Sequence, residues 1–286
     1  MDISFVVPFY KGNQYMEQLL GVVRRNAQAA GDLSVELILV NDSPDCPVEY
    51  REEWVRGFSL QILNNPENTG IHSSRINGIR AARGTFIQML DQDDLLEDHT
   101  LRSQFACCED ADVVVANGIN QNARGSQLIY RSIAHQQLAS IPRFYYSVSC
   151  QIVSPGQCLI RKDSIPQAWL TTPVRCNGAD DFLLWLMMHG TCRWTVNPDI
   201  LYTHVDTGVN LSSNFDKMYH SVCEAMEILS GIGKITPKQI AICKRRFRMR
   251  KLYEGRASWR KALACLLYPD LFAELLRYSS VRRKKN

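Results

Sequence analysis

The sequence predicts an α/β protein built on a mostly parallel central sheet that helices cover on both faces. Short apolar segments alternate with segments of helical periodicity through the first half of the chain. These apolar segments have no polar face, which is typical of strands buried on both sides of a parallel sheet. Polar clusters at residues 8–10, 41–43 and 91–94 follow three of them directly. In open sheets of this kind ligands bind at the carboxyl ends of the strands, so the three clusters are expected to share one crevice.

In the first half of the chain, each element follows from its residue pattern. Pro8 ends the first strand, the turn-forming residues 41–44 end the second, and Arg83-Gly84 closes the second helix. The predicted strands, in order, are residues 3–7, 36–40, 60–63, 86–90 and 113–116. The predicted helices between them are residues 13–28 and 71–82.

The second half is less regular until it becomes helical. Residues 154–157 indicate a loop that leads into a strand at residues 158–161. Residues 180–189 predict an amphipathic helix whose acidic start suits a helix N-terminus. After about residue 213 the pattern is helical throughout, and a leucine-rich stretch at residues 259–278 is interrupted by Pro269.

Composition excludes several classes of function. A net charge of +4 is too small for a general nucleic-acid binder, although the late basic clusters 244–251 and 282–285 point to a local anionic partner. The 10 cysteines lie mostly in apolar runs without CxxC spacing, which argues against a zinc site and favours reduced thiols in the cytosol. The chain starts directly on a strand, so we expect no signal peptide. No apolar run approaches the roughly 20 residues that span a bilayer.

The most informative segment is Asp91-Gln92-Asp93-Asp94. Three carboxylates in four residues repel one another unless a cation lies among them. Hard oxygen ligands suit Mg²⁺ or Mn²⁺, and these ions in turn suit a diphosphate. The alternative is an acidic surface turn or helix cap. Asp42, after the second strand, is able to accept a hydrogen bond from a nucleobase imide, or to serve only the turn that contains it.

Two further acidic or basic sites are candidates for chemistry. Asp180-Asp181 opens a predicted helix, where one carboxylate would act as general base for an acceptor hydroxyl or simply cap the helix. His204 follows the strand-like residues 200–202 and is either a metal ligand or a structural histidine.

Six segments in order resemble the inverting nucleotide-sugar glycosyltransferases of family 2, whose fold is called GT-A, over about residues 3–212. GT-A is a Rossmann-like three-layer sandwich. The matching segments are residues 3–10, 40–43, 68–84, 90–94, 178–185 and 202–212. The departures from the family's usual residues are Lys11 and Ile76 for Asn, Thr85 for an acid, Asp180 for Glu, a missing Arg before His204, and a longer gap from His204 to Asn210.

This resemblance implies a role for each candidate residue. Asp181 would be the catalytic base, and Asp93 and His204 would bind Mn²⁺ or Mg²⁺. The residues implied in binding the nucleotide-sugar are Pro8, Phe9, Tyr10, Asp42, Arg75, Asp91 and Gln92. Acceptor contacts are expected from Gln157, Asp180 and Trp185. The implied domains are a catalytic domain, residues 1–212, with a nucleotide-binding half 1–116 and an acceptor half 117–212, and a helical extension, residues 213–286, with a basic tail.

The resemblance also implies the reaction and its partners. A sugar would move from a nucleotide-sugar, most simply a UDP-sugar, to a hydroxyl of a glycan or lipid-linked acceptor with inversion, in polysaccharide or glycoconjugate biosynthesis. Residues 261–278 and the basic tail would either lie on an anionic membrane surface or pack on the catalytic domain. The alternatives are a catalytically silent GT-A subunit and a sugar-nucleotide pyrophosphorylase, although Lys11-Gly12-Asn13 is too short for the glycine-rich loop of the latter.

Overall fold

The computed structural model describes residues 1–206, 208, 214–253 and 258–283, and these form a layered α/β structure. The strands are β1 (Ile3–Phe9), β2 (Val35–Asn41), β3 (Ser59–Asn64), β4 (Phe86–Met89), β5 (Leu95–Leu96), β6 (Val113–Asn122), β7 (Gly125–Leu128), β8 (Cys158–Arg161) and β9 (Trp194–Val205). The helices are α1 (Met16–Ala29), α2 (Ile71–Ala81), α3 (Thr100–Phe105), α4 (Ile133–Gln136), α5 (Pro142–Ser147), α6 (Gln167–Thr171), α7 (Asp180–Met188), α8 (Phe215–Gly231), α9 (Pro237–Tyr253), α10 (Ser258–Leu267) and α11 (Pro269–Arg283).

Within these residues the strands form one sheet in the order β3-β2-β1-β4-β8-β6-β9-β5, with β7 paired to β6. The first four strands are parallel, and Val6 of β1 lies between Ile38 of β2 and Met89 of β4. β8 then pairs antiparallel with both β4 and β6, whereas β6 and β9 are parallel. The predicted parallel sheet is therefore confirmed for the first half, and the second half is mixed.

Alternating residues of the central strands feed two cores, one on each face of the sheet. Phe5 and Val7 of β1 pack with α1, while Val6 packs on the opposite face with the core that includes residues of α2 and α7. Every residue of β1 and β2 is buried, which explains why neither strand shows the alternation of polar and apolar residues that a half-exposed strand has. Because β1, β2 and β4 are parallel, their carboxyl ends lie together at one edge of the sheet.

Four strands, β5, β6, β7 and β9, differ from the sequence prediction. β6 continues past Ala116 through the polar residues 117–122, and it turns back into β7. β5 has only two residues and follows the acidic run directly. β9 spans Trp194–Val205, far more than its apolar segment. These strands depend on pairing with neighbours and carry mixed side chains, so the apolar pattern alone does not reveal them.

The C-terminal helices pack on the second half of the domain. The buried Arg246 of α9 donates from Nη1 to the carbonyl of Tyr145 in α5, at 2.6 Å. The hydroxyl of Tyr278 in α11 lies 2.8 Å from Nε2 of His135 in α4. The break predicted at Pro269 is confirmed, because α10 ends at Leu267 and α11 begins at Pro269. In the part of the chain that the structure covers, no helix is long and apolar enough to cross a membrane.

Candidate functional site

A cleft of about 780 Å³ opens at the carboxyl edge of the parallel strands. Its volume lies within the range of small-molecule sites. The cleft is lined by every predicted site residue except Gln157 and Trp185, namely Pro8, Phe9, Tyr10, Asp42, Arg75, Asp91, Gln92, Asp93, Asp180, Asp181 and His204. Residues separated by almost 200 positions in sequence therefore share one cavity, as the strand-end clusters predicted.

Asp42 holds the loop that leads into α2. Its Oδ1 accepts hydrogen bonds from Asn65 Nδ2 and from the backbone N–H of Thr69, both at 2.8 Å. Its Oδ2 accepts one bond, from the backbone N–H of Gly70 at 2.9 Å. A carboxylate oxygen offers two lone-pair directions. Oδ2 is thus able to accept a further hydrogen bond from the cleft.

Tyr10 directly follows β1, and its exposed side chain lines the cleft. The Tyr10 backbone N–H donates to Oε1 of Gln92 at 2.9 Å. Gln92 therefore ties the loop after β1 to the acidic run after β4. This bond fixes the wall that the two loops share.

Arg75 is the buried centre of the cleft floor. Its Nη1 donates to Asp180 Oδ2 at 2.6 Å, and its Nη2 donates to Asp91 Oδ1 at 2.5 Å. The side chains of Arg75 and Asp180 are each 4% exposed. Burial alone would lower the pKa of Arg75, but the charges of Asp180 and Asp91 outweigh it and raise that pKa. The guanidinium thus joins the strand end that carries Asp91 to the start of α7.

Two of the three carboxylates in the acidic run, Asp93 and Asp94, lie in different environments. Burial, with the charges of Asp94 and Asp91, raises the pKa of Asp93 to about 6. Asp94 is fully buried and accepts hydrogen bonds from His204 Nδ1 at 3.0 Å, from Val205 N at 3.2 Å and from the Tyr202 hydroxyl. Burial opposes the protonation of His204, but its bond to Asp94 raises its pKa. Asp94 therefore fixes the orientation of the imidazole.

The side chains of Asp93 and His204 offer one carboxylate and one imidazole to a divalent cation such as Mg²⁺ or Mn²⁺. Mg²⁺ is usually held by one or two protein ligands together with substrate phosphates and water. Among the side chains that the structure describes, no three His, Cys, Asp or Glu groups are arranged around one metal position. A carboxylate paired to the imidazole is a common second partner of a metal-binding histidine. Asp93 and His204 line the same cleft, and a cation held by these two side chains would take its other ligands from a bound substrate or from water.

The two carboxylates at the start of α7 differ in their ionisation. Burial alone would raise the pKa of Asp180, but the Arg75 charge lowers it, so Asp180 stays ionised. Burial and the neighbouring Asp180 charge raise the pKa of Asp181 to about 7. The Asp181 side chain accepts one bond from the backbone N–H of Phe182 at 2.6 Å. A carboxylate with a pKa near 7 suits a general base.

Two acceptor predictions require correction. Gln157 is completely buried. Its Oε1 accepts a hydrogen bond from the backbone N–H of Val153 at 2.6 Å, and its Nε2 donates one to the carbonyl of Ala116 at 3.3 Å. Trp185 is also completely buried and packs against the ring of Trp194. Neither side chain reaches the cleft, so the predicted acceptor contacts of Gln157 and Trp185 are wrong. Asn210, Leu211 and Ser212 of the closing motif lie outside the described residues.

Several residues that build the site were absent from the sequence prediction. Asp94, buried behind His204, was part of the acidic motif but had no assigned role, because its spacing does not indicate contact with Tyr202 and His204. Others line the cleft without belonging to a motif: Asn120, Val153, Ser154, Asn177, Asp206 and Met218. Asn177 stands directly before the 178–185 motif, which is the one signal that could have found it.

Curated relatives of this chain are glycosyltransferases. The chain is 36% identical over 93 residues to the uncharacterized glycosyltransferase EpsJ of Bacillus subtilis, covering 32% of this chain and 26% of that protein. It is 25% identical over 154 residues to the poly(ribitol-phosphate) beta-N-acetylglucosaminyltransferase TarS of Staphylococcus aureus, covering 52% and 26%. The matched parts thus span about a quarter of these two relatives.

Solved structures share the architecture. The S. aureus TarS 1-349 structure in complex with UDP-GlcNAc superposes with a TM-score of 0.64 at 18% identity, covering 99% of this chain and 82% of that one. The GT-A fold expected from the sequence is confirmed. The model of the family described as "Glycosyl transferase family 2" matches residues 4–168, which end before Asp180, Asp181 and His204. Because this match covers more than half of the sequence, the chain belongs to glycosyl transferase family 2.

Proposed function

We propose that this chain moves a sugar from a UDP-sugar to a hydroxyl group of a glycan acceptor with inversion, in polysaccharide or glycoconjugate biosynthesis. The observation that carries the proposal is the convergence of Asp42, Asp93 and Asp181 on one cleft. A structural neighbour of the same fold was solved with UDP-GlcNAc, which supports a uridine nucleotide as donor. These three carboxylates come from distant parts of the chain and line one cleft, in which a donor and an acceptor would bind side by side.

The nucleotide would lie along the edge formed by β1, β2 and α2. Asp42 Oδ2 would accept a hydrogen bond from the nucleobase, and Pro8, Phe9 and Tyr10 would wall the base and ribose. Arg75 would hold Asp91 toward the ribose, because its own charge is already shared between Asp91 and Asp180. The existing hydrogen bonds pre-organise this edge, so little ordering would be needed on binding.

Asp93 and His204 would hold Mn²⁺ or Mg²⁺. When bound, such a cation would supply positive charge against the negative charge that grows on the departing nucleoside diphosphate. Asp94 would keep the imidazole of His204 oriented through the bond to Nδ1. Its burial away from water makes that hydrogen bond stronger than an exposed one.

Asp181 would act as the general base. Its carboxylate would take the proton of the acceptor hydroxyl while the hydroxyl oxygen attacks the anomeric carbon from the face opposite the nucleotide. The new glycosidic bond forms as the bond from the anomeric carbon to the phosphate oxygen breaks, and the nucleoside diphosphate leaves. One such displacement inverts the anomeric configuration. Asp180, fixed by Arg75, would position the start of α7.

The test of the base is Asp181→Asn, assayed with a panel of UDP-sugars and acceptors. Transfer should fall by at least about a hundredfold, as expected for the loss of a general base. UDP affinity, measured by calorimetry, should stay within about twofold because Asp181 is placed on the acceptor side. For the wild type, kcat/KM should fall as the pH drops below about 7, the pKa raised by burial and by Asp180.

The matched control is Asp163→Asn, an exposed carboxylate outside the cleft, which should leave transfer unchanged. Full turnover by Asp181→Asn would remove the base from the mechanism. The alternative of a silent binding subunit predicts no transfer and no slow hydrolysis of any UDP-sugar by the wild type. A wild type that fails both reactions while still binding UDP would favour that alternative.

A lipid-linked acceptor would bring the chain to the cytoplasmic face of a membrane, where it would bind peripherally. The acceptor hydroxyl would enter beside Val153, Asn177 and Met218, which line the cleft on the side of Asp181. Val153 is 40% exposed, so its apolar side chain is accessible to a sugar ring.

A further inference from the structure

The outer face of α10 exposes an unusual number of large apolar side chains. Across the described part of the chain, thirteen large hydrophobic residues are substantially exposed, and five of these lie between residues 253 and 276. On α10 itself Trp259, Leu266 and Leu267 are 61%, 78% and 54% exposed. Single exposed hydrophobics are normal on a protein surface, but a cluster of them marks a contact site.

The spacing of these residues puts them on one side of the helix. Residues 259, 262, 263, 266 and 267 recur at intervals of three and four, so they form one stripe along α10. The opposite side holds Ala264, which is buried in a small cluster with Met249 of α9 and Leu271 of α11. α10 is thus anchored to the protein by one face and presents an apolar stripe with the other.

Positive charge flanks the stripe. Arg260 is exposed and lies about 100° around the helix from Trp259, whereas the exposed Lys261 lies on the side of Ala264. The ten residues of α10 include no acidic side chain. The Arg260 guanidinium lies 5.5 Å from the centre of the Trp259 ring, and Lys261 Nζ lies 5.8 Å from that of Tyr253. Aromatic rings beside basic groups are typical of helices that lie in the headgroup region of a bilayer.

We infer that the outer face of α10 binds the surface of an anionic lipid bilayer, with Trp259, Leu266 and Leu267 inserted among the headgroups and Arg260 against the lipid phosphates. A second copy of the chain is the less favourable occupant. The face carries Arg260 and no acidic side chain, so a second copy would offer no opposite charge to pair with it, and like charges at an interface oppose association. The inference extends the proposed function without depending on its chemistry, because lipid binding requires neither donor nor acceptor.

The test is flotation of the full chain with vesicles of phosphatidylcholine alone and with vesicles that also contain phosphatidylglycerol. The wild type should bind the anionic vesicles and bind them less tightly as salt is added. Leu266→Ser with Leu267→Ser should weaken this binding by at least about tenfold, since affinity scales with inserted apolar area. Arg260→Gln should reduce the preference for anionic vesicles.

Leu128→Ser, an exposed leucine on β7, is the matched control and should bind as the wild type does. Asp181→Asn should also bind vesicles normally, which separates a failure of this inference from a failure of the transfer mechanism. The inference is overturned by wild-type binding to neither vesicle, or by equal binding of the leucine double variant. It is also overturned if the wild type self-associates without binding vesicles, and the double variant is monomeric in sedimentation.

Discussion

At the scale of single residues, Asp181 illustrates how a side chain placed for function lowers the stability of the folded state. Its pKa is about 7 because desolvation in the cleft and the neighbouring charge of Asp180 both disfavour the ionised carboxylate. The unfolded chain holds the same group at its ordinary pKa, near 4. At neutral and alkaline pH the folded state must therefore carry a charge that its surroundings disfavour. Strain of this kind is frequent where activity needs a group in an unfavourable environment.

Asp181→Asn should therefore stabilise the apoprotein. One unit of pKa shift corresponds to about 1.4 kcal/mol, so the Tm at pH 8 should rise by at least about 2 °C. The gain is largest above pH 7, where the wild-type carboxylate is charged in both states. It should shrink as the pH falls through 7 toward 4, because the folded protein then takes up the proton. Thermal unfolding of both proteins from pH 5 to pH 8 measures this difference. A Tm difference that does not vary with pH would contradict the shifted pKa.

The residue scale is also where the sequence was most and least informative. The acidic run and the Asp180-Asp181 pair could be recognised because both stand at the start or end of an element with a clear periodicity. Trp185 was misplaced because α7 starts at the cleft but is buried from Phe182 onward. One turn after Asp181, the same side of the helix is already inside the core. The Asp94–His204 contact joins residues 110 positions apart, which no local pattern reports.

At the scale of elements, the loop between α2 and β4 depends on a close backbone approach. A Cβ on Gly84 would lie 2.5 Å from the backbone nitrogen of Ser4 in β1, where neither chain is free to move. The buried carboxylate of Glu36 closes this corner by accepting from Ser4 Oγ at 2.6 Å and from the backbone N–H of Arg83 at 2.7 Å. The sequence identified Gly84 as a helix stop, but only the structure shows the packing against β1.

Gly84→Ala should destabilise the fold by about 1–3 kcal/mol, the usual range for overpacking a well-filled site. Gly231→Ala is its control, since a Cβ at the end of α8 meets nothing within 4 Å. That substitution should be neutral or stabilise by up to about 1 kcal/mol because alanine favours the helix. Urea unfolding of the two variants gives both values. If Gly84→Ala matched the wild type, β1 and the loop would have to be less tightly packed than the structure shows.

At the scale of the whole molecule, the cleft is also the seam between the two predicted halves of the catalytic domain. The contacts that cross from residues 75–94 to residues 154–204 include Arg75 with Asp180, Ser154 with Asp91, and His204 with Asp94. The division into halves at residue 116 stays a prediction, because the sheet continues across it through β8. Even so, a donor bound along this seam would contact both sides and would bind only the folded chain.

A donor that binds in this way must raise the Tm, and the size of the increase reports on the metal. UDP at about a hundredfold excess over its Kd should add about 2.7 kcal/mol of stability, roughly 5 °C for a chain of this size. Mn²⁺ should enlarge the UDP shift in the wild type, because a cation between the diphosphate and Asp93 tightens binding. Asp93→Ala should keep the shift caused by UDP alone and lose the increment from Mn²⁺, each measured against its own apoprotein. Asp110→Ala, which removes a carboxylate that is 94% exposed, should behave as the wild type. An undiminished Mn²⁺ increment in Asp93→Ala would show that the cation is held by other groups.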